Sequence, residues 1–445
     1  MRVTNIVISA NRTASYASIL LSLQSHIYMK EPRNILILII LSGTLMGSCY
    51  KEVDLPPAPE AVFELNISTE MQEFLFNSRD TSYIIDEPGM EFLFAGEPLD
   101  LDLIKTRGKT ALDYPRKSFA VVLNRAIALT DSKEGRTVYL TRFKLISLAM
   151  DFTYIENRLA FGILEERGLM PLFYSYVELK INGNTQGIYL LVEDPEQFYH
   201  ENGSEYILRR GYYNSIDDSE YEPSSHFIPR DSYRSRFLEI YSLITELEGE
   251  ELYTALDQRL NLDQYFRKMG IDYLFQNGDY TDEVYLYALV QQDLIRFHII
   301  PWDYDDLFRN RPHEVGITWG VGNLFGDRYY PTHQDVLDVL GDKMIFSIED
   351  DLDYAIAMDP YLYDRYEQTL AAMLDQMDTE DIDAIFEQVR QELLPFYYID
   401  EVVAQSRYDQ DECNFRIWED NMQEKKAFLK DRLSSMKNEL KEVQP

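Results

Sequence analysis

Residues 277–308 constrain the possible fold more than any other stretch of the chain. They read NGDYTDEVYLYALVQQDLIRFHIIPWDYDDLF and contain two apolar runs, Val284 to Val290 and Leu294 to Ile300. Both runs are rich in Val, Ile, Leu, Tyr and Phe, which are residues that favour β-strands. A short polar break, Gln291 to Asp293, separates them. The pattern therefore predicts an antiparallel hairpin.

Strand pairing in this hairpin predicts a cluster of acidic side chains. If Val290 pairs near Leu294, then Val284 pairs near Ile300, and the residues before the first strand lie beside those after the second. The carboxylates on the two sides are Asp279, Asp282, Glu283, Asp303, Asp305 and Asp306. Like charges held this close repel, and a bound cation would relieve the repulsion. The arrangement is typical of a phosphoryl-transfer site; the alternative is a solvated acidic end of a hairpin.

Composition restricts the classes of partner. The chain has 445 residues and a formal net charge of -35, so binding of nucleic acid through the bulk surface is not expected. A nucleotide would need a divalent metal ion and a local group of basic residues. The two cysteines, Cys49 and Cys413, indicate no disulfide framework.

The N-terminal region resembles a bacterial lipoprotein signal peptide. Residues 29–49 combine Lys30 and Arg33 with an apolar run and small residues before Cys49. The run is too short to span a bilayer comfortably. We therefore expect Cys49 to be lipidated and to anchor the protein to a membrane of the bacterial cell envelope, either the outer membrane or the cell surface. A plain secretory peptide and an ordinary membrane anchor are the alternatives.

Other local patterns predict a basic site, a helix start and a second hairpin. Arg107, Arg116 and Lys117 form a basic group in a very acidic chain, and either face phosphates or form an exposed basic loop. Thr153 and Glu156 have the spacing of a capping box at a helix start. Asn182-Gly183 between apolar runs predicts a β-hairpin.

Five segments together resemble the CotH kinase family, a family of atypical protein kinases. In chain order they are TRGKTALDYPRKSF, SLAMDFTYIENRLAFGILEERGL, YVELKINGNTQGIYLLVE, NGDYTDEVYLY and IIPWDYDDLF. The resemblance implies an α+β, protein-kinase-like fold with a β-rich N-terminal lobe, a mixed C-terminal lobe and a helical C-terminal extension. Together with the signal-peptide pattern, the Pro-rich segment after Cys49 and the helical patterns of residues 347–445, it divides the chain into an upstream segment and signal peptide (1–49), a tether (50–62), a kinase-like domain (63–345) and the extension (346–445).

The resemblance also implies an activity and its residues. The family binds ATP and a divalent metal ion, Mg²⁺ or Mn²⁺ with Ca²⁺ as an alternative, and phosphorylates protein serine. By position, Asp279 would orient or deprotonate an acceptor Ser or Thr hydroxyl. The residues expected to bind metal are Asp303, Asp305 and Glu283. The residues expected near the nucleotide are Arg107, Lys117, Glu193 and Arg209.

Two departures from the family pattern keep a second interpretation open. The family usually places Asn shortly after the first acid, where this chain has Glu283, and it often has Arg early in the helix, where this chain has Glu156. The expected function is therefore an extracytoplasmic, membrane-anchored protein kinase. The alternative is a catalytically inactive surface lipoprotein that binds a ligand or a metal ion.

Overall fold

The computed structural model has a mixed α+β architecture, which confirms the predicted fold class. It describes residues 61–80, 82–108, 110–130, 135–151, 153–204, 206–211, 216–217, 230–278, 284–291, 294–310, 312, 332–399, 402 and 415–443. Cys49 lies outside these residues, as do Asp279, Asp282 and Glu283.

Sheet A contains eight of the described strands, in the order β3-β2-β1-β7-β8-β6-β5-β4. Neighbouring strands run antiparallel except β1 and β7, which are parallel. The bounds are β1 Val62–Asn66, β2 Glu91–Phe94, β3 Glu97–Pro98, β4 Leu101–Arg107, β5 Ser118–Thr130, β6 Thr137–Ile146, β7 Tyr174–Ile181 and β8 Asn184–Glu193.

Sheet B contains four described strands in the order β10-β9-β11-β12, and every pair is antiparallel. The bounds are β9 Tyr206–Arg210, β10 Ile216–Asp217, β11 Val284–Gln291 and β12 Leu294–Pro301. The pair β11 and β12 is the hairpin predicted from sequence. Its register is shifted by one residue, because Gln291 pairs with Leu294 and Val284 pairs with Pro301.

The described residues also form eleven α-helices, most of them in the second half of the chain. The bounds are α1 Thr69–Asn77, α2 Glu156–Glu166, α3 Pro195–Glu201, α4 Arg230–Glu246, α5 Gly249–Asp257, α6 Leu262–Phe275, α7 His333–Leu340, α8 Asp351–Met358, α9 Pro360–Leu374, α10 Thr379–Tyr397 and α11 Phe415–Val443. No helix in the described part of the chain has the length and apolar character needed to cross a membrane.

Glycines at positive φ end a helix and close a hairpin, as the sequence predicts. Gly168, with φ +67°, follows α2. Asn182 and Gly183, with φ +51° and +75°, join β7 to β8. A type I′ turn requires positive φ at both central residues, and Asn-Gly satisfies this at little steric cost.

The central strand β8 is buried along most of its length and separates two apolar cores. Leu191 packs in one core with Phe63 and Phe143, whereas Leu190 packs in the other. Successive side chains of a strand point to opposite faces, so both faces of sheet A are covered. The second core includes residues from α2, α6, α10 and α11, such as Leu433. Apolar packing is thus continuous across the predicted domain boundary between residues 345 and 346.

Candidate functional site

The segment that follows the β11–β12 hairpin, residues 302–308, is here called the acid loop. Two hydrogen bonds from the first turn of α2 hold its backbone. Asn157 Oδ1 accepts from Tyr304 N at 2.7 Å, and Glu156 Oε2 accepts from Leu307 N at 3.1 Å. Asp303 has φ +47°, a left-handed conformation that Asp tolerates better than most residues. The loop therefore presents Asp303 and Asp305 from a backbone fixed on both sides of Asp305.

Arg107 faces Asp303 from the end of β4 in sheet A. Its Nη2 lies 3.8 Å from Asp303 Oδ2, and its guanidinium lies 5.5 Å from the centre of the Trp302 ring. The two side chains keep 17% and 20% of their surface exposed. This pairing joins two predicted site residues that are far apart in sequence, and its partial exposure leaves both within reach of a ligand.

The end of α6 is bonded to the acid loop. Gly278 N donates to the carbonyl oxygen of Asp306 at 2.9 Å, and Arg309 pairs with the Asp306 carboxylate. A Cβ added at Gly278 would collide with that carboxylate, so only glycine fits this approach. Asp279, the predicted proton acceptor, follows Gly278 directly but lies outside the described residues, as does Glu283. Both assignments stay predictions.

Only part of the predicted metal site lies within the residues that the structure describes. Within the described ranges, no three His, Cys, Asp or Glu side chains form a group that could hold a metal ion. Of the six carboxylates expected at the hairpin, only Asp303, Asp305 and Asp306 belong to the described part of the chain. Asp303 and Asp305 are half-buried, and Asp306 is buried.

Lys117 is buried beneath its own loop. Its Nζ donates to the carbonyl oxygens of Leu112 at 2.7 Å and Tyr114 at 2.9 Å. Burial, aided by the nearby Arg79 charge, lowers the pKa of Lys117 below its usual value. Arg116 is also buried, over the ring of Tyr189 at 4.9 Å. The alternative of an exposed basic loop is therefore wrong for this pair, and a role of Lys117 at phosphate stays a prediction.

Glu193 ends β8 and is buried, with its Oε2 accepting from Phe173 N at 3.0 Å. Burial raises the pKa of Glu193 to about 7. The next residue, Asp194, forms a buried ion pair with Lys144 on β6 at 2.8 Å. Burial opposes ionisation of Asp194, but Lys144 outweighs it and holds the pKa of Asp194 below its usual value. Lys144 is not among the site residues predicted from the sequence, although a lysine in the apolar run KLISL is a detectable signal.

Arg209 lies on β9 directly opposite Tyr285 of β11. Residues that pair directly across two strands share one face of the sheet. The Tyr285 ring contacts the Trp302 ring edge-on at 5.5 Å, and Arg107 stacks on that same Trp302. Arg209 is thus on the face of sheet B that carries the start of the acid loop.

Glu156 does not act as the predicted capping residue. The cap of α2 is Ile155, which makes no side-chain cap bond, and the carboxylate of Asp151 accepts from Thr153 N and Glu156 N instead. The Glu156 side chain points away to Leu307 N and to Lys425 of α11, whose Nζ lies at 2.6 Å. Burial, and next the charge of Asp151, raise the pKa of Glu156 to about 7. Tertiary contacts with the acid loop override the local capping pattern.

Comparison with known proteins assigns the family. Residues 104–436 match the CotH kinase protein family, which covers more than half of the chain. The chain belongs to this family. It is 22% identical over 250 residues to the inner spore coat protein H of Bacillus subtilis (strain 168), a match that covers 52% of this chain and 61% of that protein.

The chain is also similar in part to a solved structure. It is the complex of the toxin–antitoxin system HipA, HipB and its operator DNA from Shewanella oneidensis MR-1. The match covers 72% of this chain and 65% of that chain, with 11% identity and a TM-score of 0.31. The family match extends to residue 436 and so includes most of α11.

Proposed function

We propose that this CotH family protein is a metal-dependent protein kinase that transfers the γ-phosphate of ATP to a Ser or Thr hydroxyl. The observation that carries the proposal is the pairing of Asp303 with Arg107 at 3.8 Å across the two sheets. A carboxylate that can bind a metal ion and a guanidinium that can bind phosphate then lie side by side, as metal-bound triphosphate requires.

The described residues fit a magnesium or manganese nucleotide. Mg²⁺ is usually held by one or two carboxylates together with substrate phosphates and water, rather than by a complete set of protein ligands. The half-buried Asp303 and Asp305 supply hard oxygen ligands of this kind, with Glu283 as a further candidate. The ion would neutralise charge on the phosphates.

Residues of the chain would bind the phosphates, orient the acceptor hydroxyl and line the nucleotide. Arg107 would bind phosphate oxygens, because its guanidinium donors already point at the acid loop. Asp279 would orient the acceptor hydroxyl and accept its proton. Lys117, Glu193 and Arg209 are proposed to line the nucleotide, and Lys144 joins them because its ion pair adjoins Glu193.

A transfer assay with labelled ATP and Mn²⁺ tests this function. We expect the full chain to label itself or an added protein. Because a positioned proton acceptor contributes about a hundredfold or more, Asp279→Asn should reduce transfer by that factor and leave ATP affinity nearly unchanged. If the parent binds ATP and Mn²⁺ but never transfers phosphate, the alternative of an inactive binding module is correct.

The proposed location is a bacterial envelope membrane, reached through a lipid on Cys49. The proposal rests on the charged start, the apolar run and the small residues that precede Cys49. Cys49→Ala should release the protein from membranes or leave its precursor uncleaved. A variant that still fractionates as a processed membrane lipoprotein would refute the lipid anchor.

A further inference from the structure

The C-terminal helix α11 contacts the candidate site through Lys425. Lys425 Nζ lies 2.6 Å from Glu156 Oε1 and 4.9 Å from the ring centre of Phe308, the last residue of the acid loop. The ring of Phe428, one turn further along α11, meets Phe308 edge-on at 5.6 Å. The helix therefore touches the end of the acid loop through a charge and through an aromatic ring.

The same helix also holds the end of α6. Arg432 Nε donates to the carbonyl oxygen of Leu274 at 3.0 Å, and Arg432 Nη2 donates to that of Tyr273 at 2.5 Å. The guanidinium lies 4.6 Å from the Tyr273 ring centre. Carbonyls in the last turn of a helix lack their usual intrahelical partners. Arg432 supplies a donor to Leu274 O and a second donor to Tyr273 O, which also accepts from Gln276 N at 3.3 Å. Helix α6 leads through Gly278 to Asp279. Helix α11 therefore contacts both chain segments that carry the predicted acidic cluster, the end of α6 and the acid loop.

Glu156 connects Lys425 to the acid loop, because it bonds to both. One of its oxygens accepts from Lys425, and the other accepts from Leu307 N at 3.1 Å. Both charged side chains are largely buried, at 14% and 12% exposure. A buried carboxylate that loses its cation is strongly destabilised and tends to rearrange toward water or to bind a proton. Such a rearrangement would release Leu307 N, one of the two acid-loop amides that side chains of α2 hold.

We propose that α11 braces the acid loop and that Lys425 is a positioning residue for its metal-binding carboxylates. The effect of this bracing on phosphate transfer rests on the proposed function, because the bracing matters to transfer only if the loop binds metal. The bracing itself depends on the contacts that α11 and Glu156 make with the acid loop, whether or not the loop binds metal. The predicted helical extension is then part of the working site, in agreement with a family match that ends at residue 436, after Arg432.

A second lysine of α11 provides a matched control. Lys430 Nζ pairs with Asp383 of α10 at 2.7 Å, almost the same distance as the pair of Lys425 with Glu156. Asp383 is 45% exposed, so this pair lies at the surface. Exposed pairs contribute little, and the Lys430 pair does not contact the acid loop. Lys425→Met and Lys430→Met thus make the same chemical change on one helix.

Hydrogen exchange of the metal-free full-length protein tests the bracing. Peptides that cover residues 302–308 should exchange about tenfold faster or more in Lys425→Met, because the Leu307 amide loses a charge-assisted bond that slows local opening. They should exchange as in the parent in Lys430→Met. Equal exchange in parent and Lys425→Met, or equal acceleration by both variants, would overturn the proposal.

Calorimetric titration with Mn²⁺ and ATP tests the consequence for the site. Lys425→Met should weaken Mn²⁺ binding in the presence of ATP by about tenfold, the scale of a positioning contact around a metal ligand. Lys430→Met should change it less than about twofold. Faster loop exchange with unaltered Mn²⁺ affinity would refute the positioning role. A parent that binds no Mn²⁺ would refute the proposed function, while hydrogen exchange still decides the bracing.

A double variant distinguishes the loss of the ion pair from general misfolding of Lys425→Met. Glu156→Gln in the Lys425→Met background removes the uncompensated buried charge, and its amide oxygen can still accept from Leu307 N. Slow exchange of residues 302–308 should return in this double variant. Lys425→Arg should retain the slow exchange of the parent, because a guanidinium can keep a charge-assisted bond to Glu156. If neither change restores protection, the loss in Lys425→Met did not come from the ion pair.

Discussion

Two arginine–carboxylate contacts in this protein have the same separation and different surroundings. Arg107 Nη2 lies 3.8 Å from Asp303 Oδ2, and Arg210 Nη2 lies 3.8 Å from Asp353 Oδ2. The first pair keeps 17% and 20% of its surface exposed, whereas the second keeps 3% and 0%. Distance alone therefore does not distinguish a site from a structural contact, and burial does.

Hydrogen bonding separates the two contacts further. Tyr265 donates to Asp353 at 2.6 Å and Tyr241 donates to Asp350 at 3.1 Å, and Arg210 also bonds to Tyr265. These five residues are called the Arg210 cluster. They join β9 to α4, α6 and α8, so their function is to hold elements together. The acid loop instead leaves Asp303 and Asp305 partly exposed, so a ligand can complete their coordination.

The largest expected loss of stability comes from Arg210→Met. It leaves Asp350 and Asp353 buried without their cation, and removing one partner of a buried ion pair costs about 3–5 kcal/mol. Urea unfolding at pH 7 measures the loss as a drop in the unfolding free energy. A loss below about 1 kcal/mol would show that this cluster is as weakly coupled as a surface pair.

A smaller effect is expected in the pH dependence of unfolding. Burial raises the pKa of Asp353 from 3.8 to about 6. The folded protein then binds more protons than the unfolded chain between these values, so stability falls as pH rises from about 4 to about 6. The raised pKa predicts a decline of about 2–3 kcal/mol from this group. Asp353→Asn should flatten that part of the profile, whereas an unaltered profile would refute the assignment.

The smallest change in stability is expected at the acid loop. Asp303→Asn removes a charge on a side chain that is 20% exposed, and Asn tolerates positive φ at least as well as Asp. Metal-free unfolding should change by less than about 1 kcal/mol, and the melting temperature should rise if repulsion with neighbouring acids is relieved. The Mn²⁺-induced rise in melting temperature should shrink. A loss of several kcal/mol would place Asp303 with the Arg210 cluster as a structural residue.

Local patterns predicted those parts of the fold that depend on neighbouring residues. The β11–β12 hairpin follows from two runs of strand-forming residues around a polar break, and the Asn182-Gly183 turn follows from turn chemistry. The register was displaced by one because Gln291 was assigned to the polar break, whereas it pairs with Leu294. Val290 and Leu294 are exposed at this end of the hairpin. Burial of apolar side chains therefore does little to determine which residues pair there.

Long-range contacts could not be predicted in the same way. Glu156 and Lys425 are 269 residues apart, and the local spacing of Thr153 and Glu156 indicated a capping box instead. Arg158 and Glu392, a buried pair of α2 and α10 at 2.7 Å, are 234 residues apart. Charged residues on amphipathic helices are most simply read as solvated, and only the packing of α10 and α11 shows which of them are buried.

The most direct test of the account is the binding of ATP with and without Mn²⁺ to the parent, Asp303→Asn and Asp364→Asn. Asp364 is an exposed carboxylate of α9, so its variant controls for the loss of one negative charge. The parent and Asp364→Asn should bind ATP only with Mn²⁺, and Asp303→Asn should lose about a hundredfold or more in affinity, the upper range for a metal ligand shell. Equal, metal-dependent ATP binding by all three proteins would contradict the claim that the acid loop holds the metal ion.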